Sequence, residues 1–216
     1  MEQAPPLPTT VYLVRHGESQ LNLEKRVSGQ FDAALSPNGF RQAQRLAEQL
    51  HHIALTGVYT SALNRTIETA RPTAEHHGLP IRSTIGLNEL HMGVLEGRFR
   101  DARDPEANAI WKEYQNNRRH YRIPEGECFL ELVERVKASL NDILAQEAGG
   151  TVLIVGHRNV NRIVFGSLMH RPEAEWPDLS LKSRWMYQIV TGPLPQLNRV
   201  SLMASADDSA MTHPMV

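Results

Sequence analysis

The chain has a single cysteine, Cys128. An intrachain disulfide and a thiolate metal cluster are both excluded, and a reducing compartment, the cytoplasm, is the expected location. Long apolar runs are missing as well. The most continuous, such as residues 152–155, fall far short of the ~20 residues that a membrane helix needs. The first ten residues carry Glu2, three prolines and no apolar stretch, so a flexible leader without a signal peptide is expected. Neither sign of charge dominates. A net charge of -1 and a pI near 6.8 remove the overall basic field that nucleic-acid binders use. Lysine is scarce, with 4 Lys beside 19 Arg among the 23 basic residues. Arginine is favoured where phosphate or carboxylate is gripped by a planar fork, although a codon-usage bias would leave the same excess. No His-Glu-x-x-His zinc motif and no Gly-rich P-loop occurs anywhere.

What is present is an ordinary globular composition. In 216 residues, 41% are hydrophobic and 22% charged, which suits one large domain. A chain of this length buries roughly 70% of its unfolded surface, enough for a core without staples. Residues 11–14 (Val-Tyr-Leu-Val), 57–60 and 152–155 read as short buried strands, with further strands at 186–190 and 200–203. Ser36 and Pro37 read as the N-cap and first position of a helix whose apolar face carries Phe40, Ala43, Ala47 and Leu50. A helix from about Ala62 is expected to kink or end at Pro72, and the segment to close at Gly78 and Pro80. Residues 86–126 lack clear periodicity and read as a lid-like excursion of loop and helix. Phe129, Leu132, Val133, Val136 and Leu140 form a helical stripe ended by Gly149-Gly150, and residues 160–169 form another helix. Strands alternating with helices predict a three-layer α/β/α domain over residues 11–203 with a mostly parallel central sheet, and a frayed tail from 204 to 216.

The chemistry-bearing residues stand where the buried strands stop. Residues 11–14 run into Arg15-His16-Gly17-Glu18, residues 57–60 into Ser61 and Arg65, and residues 152–155 into Gly156-His157-Arg158. In open α/β sheets ligands bind outside the carboxyl ends of the strands. Two His and two Arg therefore converge on one crevice. Chance gives an Arg-His-Gly triplet about 0.06 times in this composition, so each motif alone is weak and their coincidence carries the signal. Such a cluster of cations needs an anion to balance it. A phosphoryl group fits: its oxygens match the forks of Arg15 and Arg65. A neutral His16 can attack phosphorus to give a phosphohistidine, with the second imidazole stabilising oxygen charge.

Arg15-His16-Gly17-Glu18, with Arg65, Glu89 and His157 in that order, resembles the histidine phosphatase superfamily, the phosphoglycerate mutase-like fold, over nearly the whole chain. The resemblance implies that His16 is the phosphorylated nucleophile and that Arg15, Arg65 and His157 form the phosphate pocket. It makes Glu89 the proton donor, a role suited by a carboxyl whose pKa an adjacent dianion raises. No cofactor or metal is implied. The cofactor-dependent phosphoglycerate mutases share Leu87-Asn88-Glu89 and the pair Arg118-Arg119. The phosphatase half of the fructose-2,6-bisphosphatases is closer at residues 121–127 and at 157–162. A phosphatase of small phosphate monoesters, such as a sugar bisphosphate, is the leading expectation. A mutase, and a binding relative without catalysis, stay as alternatives. Arg158, Arg162, Tyr121 and Arg122 are expected to hold a second anionic group, with a structural ion pair as the other reading of Arg162. Asn22 and Ser28 are expected to contact substrate as well. The expected partner is a small phosphorylated metabolite rather than nucleic acid or membrane, with a homodimer left open. Cys128 and the pairs His51-His52 and His76-His77 read as structural or solvated positions.

Overall fold

Successive side chains of the central strands point to opposite faces, and both faces are buried. On one, Val11 and Leu13 of β1 (Thr10–Arg15) and Val152 and Ile154 of β4 (Thr151–Gly156) join a core cluster. On the other, Tyr12, Val14, Leu153 and Val155 join a second. The computed structural model describes residues 7–202. Its six strands have the order β3-β2-β4-β1-β5-β6, completed by β2 (Gly57–Ser61), β3 (Ile81–Thr84), β5 (Trp185–Val190) and β6 (Gln196–Ser201). The pairings β1–β4, β2–β4 and β2–β3 are parallel, and β1–β5 and β5–β6 antiparallel. The three-layer, mostly parallel architecture is as expected, and β1, β4 and β2 lie side by side with their carboxyl ends together.

The described residues form six α-helices: α1 (Gln20–Leu23), α2 (Pro37–Leu50), α3 (Asn64–His77), α4 (Pro105–Asn116), α5 (Phe129–Gln146) and α6 (Arg158–Leu168). Ser36 caps α2 by accepting from the Gly39 amide at 3.1 Å, with Pro37 at the first position. The face of α2 is rotated from the expected one. Gly39, Ala43, Leu46 and Leu50 are buried, whereas Phe40 is 47% exposed. Pro72 does not end α3, which runs five residues further to a left-handed Gly78 (φ 63°). Thr66, Thr69, Ala70, Thr73 and Ala74 are buried along this helix, and their packing outweighs the ~3 kcal/mol that an internal proline costs. The stripe from Phe129 to Leu140 is buried throughout, but α5 stops at Gln146, before the glycine pair.

β1 begins at Thr10, and the Thr9 amide donates to Thr191 Oγ1, so the sheet takes in the end of the segment expected as leader. The expected strand at 200–203 starts earlier, at Gln196, and its last residue and the tail from 204 lie outside the described residues. β3 had no counterpart in the sequence reading. Within residues 86–126, α4 begins with Asp104 accepting from the Ala107 amide and buries Ala107 and Tyr114. Among the described residues no helix is long and apolar enough to cross a membrane.

Candidate active site

Parallel pairing puts Arg15 opposite Gly156 and Thr60 opposite Val155. His16, Ser61 and His157, the next residues on the three strands, therefore meet at one edge of the sheet. The His16 amide donates to Gly156 O at 3.0 Å, and the His16 and His157 ring centres are 5.1 Å apart. Gly17 lets the N-terminus of α2 come close: a Cβ there would lie 2.7 Å from Gly39 O. The Gly17 amide donates to Thr69 Oγ1, which in turn donates to Arg65 O, tying the turn after β1 to the first turns of α3.

His16 is 6% exposed and its Nδ1 lies 2.7 Å from Gly17 O. A carbonyl only accepts, so Nδ1 carries the proton and Nε2 keeps its lone pair. Burial, reinforced by Arg15 and Arg65, pushes this imidazole well below its usual range, so the ring is neutral at physiological pH. Burial pushes His157 the same way, with Arg65, His16 and Arg15 adding to it. Arg65 is fully buried. Its two terminal nitrogens donate to Phe31 O (2.8 Å) and Gly29 O (2.6 Å), and burial lowers it to about 10, still charged at neutral pH. Gly29 adopts a left-handed φ of 50° that turns this loop under the guanidinium.

Unmet hydrogen-bonding capacity gathers here. Among the described residues, the buried side-chain polar atoms without partners include Arg15 Nε, Ser28 Oγ, Arg65 Nε and His157 Nδ1. Each would cost about 1–3 kcal/mol if left so, and their concentration at one crevice calls for a ligand rich in acceptor oxygens. The crevice is a cavity of about 830 Å³ lined by Arg15, His16, Arg65 and Glu89, with Asn22 and Ser28 on its wall. Ten Arg and Lys side chains line it against two carboxylates, Glu18 and Glu89. The arrangement suits an anion. His157 is fully buried and does not line the open cavity, but its ring centre lies only 5.1 Å from that of His16, which does.

Glu89 is held from both sides. Its carboxylate accepts from the Leu90 amide (2.8 Å) and from the Asn159 amide (3.3 Å) in the first turn of α6. Its backbone carbonyl accepts from Arg135 (2.9 Å) and Gln30 (3.0 Å). Arg135 also grips the carbonyls of Gly86 and Asn88 and pairs with Glu127. Arg135 and Gln30 are supporting residues that the sequence reading did not single out. Arg135 interrupts an apolar helical stripe, where a charge reads as solvated, so nothing in the pattern marks it.

The expected outer contacts divide. Arg158 and Arg162, four residues apart on α6, both line the cavity. Arg162 donates to Leu179 O (2.9 Å) and Asn159 Oδ1 (3.0 Å), and among the described residues no carboxylate pairs with it, which does not match the structural ion pair of the alternative reading. Asn22 lines the cavity while its side-chain oxygen accepts from the Ser19 amide in a capping box. Tyr121 and Arg122 do not join the site. The chain after α4 folds back onto the start of α5, where Arg122 is exposed and pairs with Glu131, and Tyr121 packs half-buried against the core. Arg100, stacked 4.7 Å over the Trp111 ring, and Trp111 itself, Tyr114 and Arg118 form the wall instead. They come from the excursion, Trp111 and Tyr114 from α4 and Arg100 and Arg118 from the chain just before and after it, rather than from the turn that holds Tyr121 and Arg122.

Residues 11–192 match the family model described as the histidine phosphatase superfamily (branch 1). A Yersinia pestis protein named "Probable phosphoglycerate mutase GpmB" is 35% identical over 200 residues, 93% of each chain. The α-ribazole phosphatase of Shigella flexneri superposes with a TM-score of 0.79 at 26% identity, covering 92% of this chain and 100% of that one. A mycobacterial glucosyl-3-phosphoglycerate phosphatase gives 0.73 at 26% identity, covering 88% and 97%. These likenesses are to phosphatases of several substrates and to a mutase, and not specifically to the fructose-2,6-bisphosphatase branch.

Proposed function

The chain belongs to the histidine phosphatase superfamily, and on that premise we propose that it is a metal-independent phosphatase of small phosphate monoesters acting through a phosphohistidine at His16. The observation that carries the reading is the fixed tautomer of His16: a neutral ring whose Nε2 lone pair stands beside Arg15 and Arg65 at a cavity edged by unpartnered donors. Nε2 attacks phosphorus, the bond to the leaving oxygen breaks, and the Glu89 carboxyl gives that oxygen its proton. Water then gives a proton back to the Glu89 carboxylate as it attacks the phosphohistidine, the P–N bond breaks with its electron pair returning to Nε2, and phosphate leaves. Arg15, Arg65 and His157 stabilise the equatorial oxygens throughout, which is work a metal would otherwise do.

The cationic wall supports a substrate with a second anionic group, such as a sugar bisphosphate, held by Arg158 and Arg162 away from the reacting phosphoryl group. The relative 35% identical to this chain favours a second reading, a phosphoglycerate mutase, which would have to keep its phosphohistidine from water. One experiment separates them. The protein is incubated with 3-phosphoglycerate and separately with a sugar bisphosphate, with chelator present, and free phosphate and 2-phosphoglycerate are measured. The proposal expects phosphate release that survives chelation and is lost by several orders of magnitude in His16→Ala. Isomer formation outpacing phosphate release would replace it with the mutase. Neither product would mean a non-catalytic binder.

A further inference from the structure

We propose that Ser61 is a positioning residue whose hydroxyl places the proton of His157 on Nδ1, making that atom a hydrogen-bond donor toward the phosphoryl oxygens. The inference rests on the phosphoryl-transfer reading above, but it is carried by a separate piece of geometry. His157 Nε2 lies 2.8 Å from Ser61 Oγ, in a pocket where both residues are fully buried. Ser61 Oγ also accepts from the Leu63 amide at 3.1 Å and lies 2.9 Å from Thr66 Oγ1. Thr66 Oγ1 has backbone acceptors of its own, Leu63 O at 2.9 Å and Ser61 O at 3.2 Å.

Counting protons leaves two arrangements in which both the Ser61–His157 and the Ser61–Thr66 contacts carry a proton and no heavy atom moves. In the first, Ser61 donates to a bare His157 Nε2, Thr66 donates to Ser61, and the neutral ring carries its proton on Nδ1. In the second, His157 Nε2–H donates to Ser61, Ser61 donates to Thr66, and Thr66 donates to a backbone carbonyl. In that arrangement a neutral ring has an unprotonated Nδ1.

The surroundings choose between them. Nδ1 is buried and has no partner among the described residues, while Arg15, Arg65 and Arg135 act on this ring as positive neighbours. Those charges disfavour a second proton, so the ring has only one to place. A phosphoryl group brings acceptor oxygens and no donors. A bare Nδ1 would repel them, whereas Nδ1–H completes a ring of donors with Arg15, Arg65 and Ser28. Ser61 Oγ is the partner of Nε2 among the described residues, so without that hydroxyl no donor there favours a proton on Nδ1.

The test reads the tautomer directly. Long-range ¹H–¹⁵N spectra of the full-length protein, with and without inorganic phosphate, assign the proton on His157. Wild type is expected to show a protonated Nδ1 and a bare Nε2, and Ser61→Ala a shift of population toward protonated Nε2. For p-nitrophenyl phosphate, Ser61→Ala is expected to lose roughly 10-fold or more in kcat/KM, with Ser61→Thr, which keeps the hydroxyl, recovering most of it. A wild-type His157 protonated on Nε2 overturns the proposal, and so does a Ser61→Ala protein with wild-type kinetics. If Ser61→Ala does not fold, the wild-type spectrum alone decides. Because that spectrum needs no turnover, a wild type that releases phosphate from nothing would sink the phosphatase reading while leaving the tautomer assignment to stand or fall separately.

Discussion

Histidines lie near both ends of the helix pair α2 and α3, and the two ends differ in kind. Near their N-termini lie His16 and His157, buried rings among arginines. At their C-termini His51, His52, His76 and His77 pack edge-on or tilted against one another with ring centres 4.0–4.9 Å apart. His51 and His16 are both pushed below the usual imidazole range. For His51 the first cause is the neighbouring His76, whereas for His16 it is burial, followed by arginines. A lowered pKa therefore does not by itself mark a site. What separates the ends is that the inner one combines burial, a fixed proton and unpartnered donors around a cavity. At the outer one His51, His52 and His76 face solvent, and none of the four histidines lines the cavity.

The sharpest way to break that contrast is at Arg65. If its fork serves substrate, Arg65→Ala should cost about 100- to 1000-fold in kcat, the scale of losing one preorganised donor to developing oxygen charge. It should also lower stability, because Gly29 O and Phe31 O lose their partner in a buried setting. Steady-state kinetics and urea denaturation read the two effects separately. Loss of stability with unchanged kcat would reduce Arg65 to a loop anchor and bring the inner end down to the level of the outer one.

A second test uses pH. Both inner imidazoles stay neutral in the folded protein, while in the unfolded chain they take up protons below about pH 6.5. Unfolding therefore binds protons in this range, and folding stability falls as pH drops through 6.5 toward the lowered folded values. Each such ring contributes about 1.4 kcal/mol per pH unit within that window. Replacing His16 by Asn should flatten the slope of urea-derived stability between pH 6.5 and 5. An unchanged slope would mean that the ring is charged in the folded state, which would also remove the nucleophile.

How far the inner site was legible follows from which links are local. Arg15, His16, Arg65 and His157 each end or follow a buried strand, so the apolar runs that predict the strands also place these residues at the sheet edge. Ser36 and Pro37 declare the start of α2 in the same local way. Tyr121 and Arg122 could not be placed similarly, because the path of the chain after α4 is set by Arg122 pairing with Glu131 and by burial of Ile123, both long-range outcomes. β3 was missed for a different reason. Ile81 and Thr84 are only partly buried, and Arg82 and Ser83 are exposed, so this edge strand has no period-two pattern to show. Pro72 misled because propensity argued against a helix that tertiary packing then kept.

The smallest expected effect lies at the outer cluster. Its four rings sit beyond Leu50 and beside Gly78, and His77 Nε2 lies 3.2 Å from Leu50 O, which holds the ends of α2 and α3 together. If like-charge crowding lowers His51, removing the nearest neighbour should relieve it. His76→Gln is therefore expected to raise the His51 pKa toward the ordinary imidazole value, followed by NMR titration, while His52 and His77 still restrain it. Phosphate release should be unaffected, since Arg65 and the loop that grips it lie at the other end of α3. A His51 pKa that does not move would assign its shift to desolvation, the second cause, and make the outer cluster more like the inner one than its exposure suggests. A change in turnover would be more damaging: it would mean that α3 transmits the state of its exposed end to Arg65, and that the two ends of the helix are one device.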